Sequence, residues 1–88
     1  MIINGGYQII DLKGTKLTNG GSITNSGVYE KLANAHGKPI YVTGINNNAV
    51  IYNDTFALCY ASGTSYVVKF ANVTLTVANT DTITVALA

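Results

Sequence analysis

The chain has 88 residues, enough for one domain, with 10% charged residues, no arginine and a net charge of +1. A field that weak excludes long-range attraction to nucleic acid or to a membrane surface. An apolar content of 48% excludes a disordered chain, and the single Cys59 excludes an internal disulfide framework.

Ordinary domains carry about 25% charged residues. Here Asn, Thr, Ser and Gly supply most of the polar surface instead. Few charges give weak protection against self-association, so the composition points to an oligomer or a larger assembly that covers much of the surface. The alternative is a monomer solubilised by Thr and Asn. No secretory signal is expected, because Met1-Ile2-Ile3 runs at once into Asn4-Gly5-Gly6 without a basic start. No apolar run reaches transmembrane length.

In chain order, Tyr7 to Leu12 (YQIIDL) reads as a strand between two glycine-bearing turns, Asn4-Gly5-Gly6 and Asn19-Gly20-Gly21. Neither turn has the glycine spacing of a nucleotide-binding loop. A helix of about ten residues follows. Asn25 or Ser26 is its expected N-cap. Glu30 meets the helix dipole in the first turn. Val28, Leu32 and Ala35 form its apolar stripe. Gly37 ends it in left-handed backbone and Pro39 prevents its resumption.

Strand material then runs to the end. Ile40 to Ile45 and Ala49 to Tyr52 are partners around an Asn46-Asn47-Asn48 turn. Thr55 to Ala61 and Tyr66 to Ala71 form a hairpin around Ser62-Gly63-Thr64-Ser65. If Phe56, Leu58 and Tyr60 meet Tyr66, Val68 and Phe70 on one face, the loop has an odd number of residues, three or five. In the last hairpin Val73, Leu75 and Val77 oppose Ile83, Val85 and Leu87 around Asn79-Thr80-Asp81. Pairing Val77 with Ile83 sets Thr76 opposite Thr84, a threonine ladder behind an apolar face. The expected fold is therefore α+β: a single short helix packed on a mainly antiparallel β meander of five to seven strands, with residues 1–88 as one domain.

Chemistry is sparse. The acids Asp11, Glu30, Asp54 and Asp81 each have a turn, helix-start or strand-end reason and form no acid–base pair by spacing. His36 belongs to the end of the helix, and a Cys59–His36 nucleophile pair would need a coincidence of folding. One histidine and four scattered acids do not make a metal site, so no cofactor or metal is expected. Lys13, Lys16, Lys31, Lys38 and Lys69 are dispersed, so nucleic acid is not expected as a partner, nor is a membrane. The six tyrosines fit half-buried strand and helix positions. Their sharper reading is a protein interface. The candidate interaction surface is Tyr41, Asn46, Asn47, Asn48, Tyr52, Thr74, Thr76, Thr82 and Thr84.

The segments MIINGGYQIIDL, GVYEKL and HGKPIYVTGI, with the Ser-Gly-Thr turn before YVVKF, resemble a group of small uncharacterised proteins encoded in phages and prophages of gut Firmicutes. The resemblance implies a phage-derived protein of a structural or tail-associated gene set, located in the virion or the cytoplasm of the bacterial host. It implies no activity and no site residues. The leading expectation is a non-enzymatic structural or interaction module that forms a homo-oligomer or binds another phage or host protein. The alternative is a small phage-encoded inhibitor that sequesters a host factor in the cytoplasm. A carbohydrate-binding module using tyrosine faces is disfavoured by the absence of tryptophan, and an enzyme comes last.

Overall fold

A computed structural model of the protein describes residues 8–35, 37–47 and 50–87. The expected Asn4-Gly5-Gly6 turn, and Tyr7, His36, Asn48 and Ala49, lie outside these. The elements run β1 (Gln8–Lys16), β2 (Ser22–Thr24), α1 (Val28–Ala35), β3 (Ile40–Asn47), β4 (Val50–Tyr52), β5 (Thr55–Ser62), β6 (Ser65–Phe70), β7 (Val73–Val77) and β8 (Thr82–Leu87). The strands form one curled sheet in the order β1-β3-β5-β6-β7-β8-β2, with β4 also on β3.

The α+β class and the single short helix agree with the sequence reading. The plain meander of five to seven strands does not: among the described residues there are eight strands, and the sheet is mixed. β1 runs parallel to β3. A parallel pair needs a long crossover, and here the chain leaves β1, pairs β2 with β8 at the far edge, and returns through α1. β2 is three residues long with one apolar side chain, Ile23, too little pattern to read from sequence.

The core is the inner face of the sheet closed by α1. Val28, Leu32 and Ala35 are buried, as the helical stripe requires, against Ile10, Leu12, Ile40, Val42, Val68, Phe70, Leu75 and Ile83. Tyr29 of the helix packs on Tyr66 of β6 with ring centroids 5.1 Å apart.

The helix N-terminus departs from expectation. The side chains of Asn25 and Ser26 do not cap it. The Asp81 carboxylate does, from the β7–β8 turn, accepting from Gly27 N at 3.1 Å and Tyr29 N at 2.7 Å. Its backbone carbonyl also accepts from Asn25 N at 3.1 Å. Helix starts leave N–H groups without intrahelical partners, and a carboxylate there also meets the positive end of the dipole. The acceptor comes from more than fifty residues away, so local spacing gave no sign of it.

The last hairpin has the expected register, with Val77 opposite Ile83 and Thr76 opposite Thr84. The preceding hairpin does not. Ser62 pairs with Ser65 and Leu58 with Lys69, so the loop is the two residues Gly63-Thr64 and even positions meet odd ones. Gly63 has φ +61 and Thr64 has no positive φ, which is the type II′ arrangement of tight hairpins. Consequently Ala57 and Cys59, not Phe56, Leu58 and Tyr60, face the core.

Three adjacent strands also turn a corner at one level. Ile45↔Tyr52 and Val42↔Thr55 lie on one continuous register, so β4 and β5 are one strand interrupted at Asn53-Asp54. Asp54 has φ 48, Gly44 of β3 has φ 79, and the β1–β3 ladder slips between Asp11 and Thr15, where Gly14 has φ 76. Past this corner the inward positions change parity, from Ile40 and Val42 to Ile45, and from Ile10 and Leu12 to Leu17. The Ile45–Tyr52 end folds over the core, where Tyr52 meets Phe70 edge-on at 5.2 Å.

Candidate functional site

The inverted β5 register places a run of large apolar side chains on the outer face. Phe56 is 52% exposed, Leu58 58% and Tyr60 48%. The same face continues across β3 and β1, where Phe56 is opposite Tyr41 and Tyr41 opposite Ile9. The Tyr41 and Phe56 rings meet edge to face at 5.8 Å. Contiguous apolar side chains at a surface mark interaction sites more often than scattered ones do.

Beside this stripe lies an open cleft of about 460 Å³, lined by Gly37, Lys38 and Pro39 on one side and Phe56 to Tyr60 of β5 on the other. Among the described residues that line it, Lys38 is the one charged side chain. Cys59 is half-buried, and burial pushes its thiol above the usual range. The thiolate is the reacting form, so Cys59 is expected to alkylate more slowly at neutral pH than an unstructured thiol. Its iodoacetamide rate should keep rising with pH beyond the point where a model peptide thiol has levelled off. A rate at neutral pH equal to that of the peptide would contradict the burial.

The residues singled out from the sequence are divided among several places. Tyr41 is half-buried in the apolar row. Thr74, Thr76, Thr82 and Thr84 are on β7 and β8, with Thr76 and Thr84 directly paired and Thr82 opposite Thr24 of β2. Asn46 and Asn47 are strand residues of β3 facing Ile51 and Val50, not turn residues. Asn46 Oδ1 is shut off from solvent without a hydrogen-bond partner among the described residues. Asn48 lies outside the described residues. Tyr52 packs on the core. Sequence reasoning missed Phe56, Leu58 and Tyr60 as surface residues. The available signal was Gly63-Thr64, whose two-residue loop fixes the opposite parity.

Among the described residues no group of three or more His, Cys, Asp and Glu side chains could hold a metal ion, and no helix is long and apolar enough to cross a membrane. Comparison with known protein families, with curated proteins and with solved structures finds no match to this chain.

Proposed function

We propose that the protein is a non-enzymatic, phage-derived structural or interaction module that assembles with copies of itself through the outer face of β5. The observation that carries this reading is the exposed Phe56–Leu58–Tyr60 stripe on a chain whose charged fraction is only 10%. A stripe of that kind costs solubility unless something covers it. The phage origin rests on the resemblance of the segments around YQIIDL, GVYEKL and KPIYVTGI.

Sedimentation velocity across the micromolar to millimolar range tests the reading. The protein is expected to associate as concentration rises. Leu58→Lys is expected to leave it monomeric, with folding stability changed by no more than about 0.5 kcal/mol because the side chain lies outside the core. A wild-type protein that stays monomeric throughout would overturn self-assembly. Stoichiometric capture of a host protein by that monomer would select the sequestering reading instead.

A further inference from the structure

The cleft beside β5 is an interrupted β-ladder. Ile40 pairs with Ala57, and continuing that register would set Pro39 opposite Leu58 and Lys38 opposite Cys59. The chain leaves the ladder instead. Lys38 N donates to Ala35 O at 2.8 Å in the turn that ends the helix, and Pro39 O accepts from Gln8 N at 3.5 Å. Gly37, Lys38 and Pro39 thus form the far wall of the cleft rather than a strand on β5.

The hairpin identifies the groups left over. Ser62 and Ser65 close a two-residue loop, and such a closing pair exchanges both of its hydrogen bonds. By alternation Tyr60 and Leu58 also direct their N–H and C=O toward β6. Cys59 and Ala61 direct theirs the other way, over the cleft. No backbone hydrogen bond of either is found there among the described residues. Two donors and two acceptors at strand spacing are what an added strand pairs with. Natural edges are usually blunted by charge, proline or a bulge, and Cys59-Tyr60-Ala61 carries no charge and no proline.

Two features limit what can lie there. An added strand cannot run on past Cys59, because Pro39 and Ile40 occupy the next places on that side of β5. The same obstruction excludes a second β5 hairpin, whose Ser62–Thr64 turn would meet Pro39 and Ile40. The occupant therefore ends at Cys59. Lys38 lines that end, and no acid lines the cleft among the described residues. A strand antiparallel to β5 brings its C-terminus to this point, whereas a parallel one would set its N-terminal ammonium against the lysine. Charge selects the antiparallel direction.

We propose that the cleft binds the C-terminal tail of another protein, an extended segment that adds antiparallel to β5 and ends opposite Cys59. One carboxylate oxygen of its last residue accepts from Cys59 N and the other from the Lys38 ammonium. The N–H of that residue donates to Cys59 O, and the residue two places before it exchanges both of its hydrogen bonds with Ala61. The penultimate side chain falls on the outer face, opposite Tyr60 and diagonal to Leu58. Both of these are about half exposed, so an apolar residue is favoured at that position. Binding needs a single protomer, so it goes beyond the self-assembly reading and does not rest on it.

The probes are pentapeptides ending in valine–leucine–valine, valine–phenylalanine–valine, alanine–leucine–alanine or alanine–phenylalanine–alanine, each with a free C-terminal carboxylate. They are titrated to about 1 mM, the scale of weak specific binding, into dilute isotope-labelled protein, and binding is read from its amide resonances. At least one is expected to bind, moving the Cys59 and Ala61 amides most among those of β5. For that peptide a C-terminal amide, or a glycine–serine–glycine extension, is expected to weaken binding at least tenfold. Lys38→Gln changes an exposed side chain. It is expected to weaken the free acid about tenfold, the scale of a charge-assisted hydrogen bond, and to leave the amide unchanged. Three results would each overturn the proposal: no binding by any free acid, equal binding of acid, amide and extended forms, or a Lys38→Gln loss shared equally by acid and amide. None of them bears on self-association, which sedimentation of wild type and Leu58→Lys reads separately.

Discussion

Replacing Gly44 by alanine is expected to remove about 3–5 kcal/mol of folding stability, summing the costs of left-handed backbone and of overpacking. The residue has φ +79, and a Cβ there would lie 2.6 Å from Asp11 Oδ1, 2.8 Å from Lys13 N and 2.9 Å from Lys13 Cα. Two of those neighbours are backbone atoms of the adjacent strand, and they move only if the β1–β3 ladder opens. A domain of this size has only about 4–13 kcal/mol in total, so the variant sits near the limit of folding. Gly14 is the control. It has almost the same φ, +76, with nothing within 4 Å of the added carbon, so Gly14→Ala is expected to cost only about 1–2 kcal/mol for the backbone. Urea unfolding of the two variants separates the steric from the conformational cost. Equal losses would mean that the close approach of β1 to β3 at the corner is not what requires glycine.

The second large effect is expected at Asp81. Asp81→Ala removes both acceptors at the start of α1, about 0.5–2 kcal/mol. It also puts a Cβ residue without local hydrogen bonding at φ +64, for about 1–2 kcal/mol more. Asp81→Gly relieves the backbone and loses only the cap, so it is expected to fall between alanine and wild type. Asp81→Asn keeps an acceptor and tolerates the backbone, and should lose least. Hydrogen exchange then reports the link directly: the amides of Gly27 and Tyr29 should lose protection in Asp81→Gly before those of β3. Unchanged protection at these two amides would show that the carboxylate does not hold the helix start.

What could be read from the sequence depended on whether one face was distinctly more apolar than the other. In β7 and β8 valine, leucine and isoleucine alternate with threonine and alanine, so face and register followed together. In β5 the exposed set, Phe56, Leu58 and Tyr60, is bulkier than the buried Ala57 and half-buried Cys59. Hydrophobicity ranked the faces the wrong way round. The inner face at β5 takes small side chains where Phe70, Val68 and Tyr66 of β6 already fill the space beside α1. The corner was hidden for another reason. Alternation assumes unbroken pleating, and Gly44, Asp54 and Gly14 each change it by a backbone conformation that composition does not display. The Asp81 cap and the β2–β8 and parallel β1–β3 pairs depend on tertiary proximity, which spacing along the chain does not encode. Of the candidate surface, the Thr76–Thr84 pair was accessible to pattern reasoning, whereas Tyr41 was named without the row it joins. The β5 stripe required the turn type to be read first.

The position of β1 and β2 at opposite edges of the sheet has a consequence for the order in which the protein comes into being. β2 waits for β8, and the start of α1 waits for Asp81. β2 and the start of α1 therefore reach their final hydrogen bonds only when the last hairpin has been synthesised, whereas β1 waits only for β3. Such non-local closure slows folding toward the millisecond-to-second range of sheet proteins. On the ribosome, the outer stripe and the open edge of β5 are both made before the fold that positions them is complete.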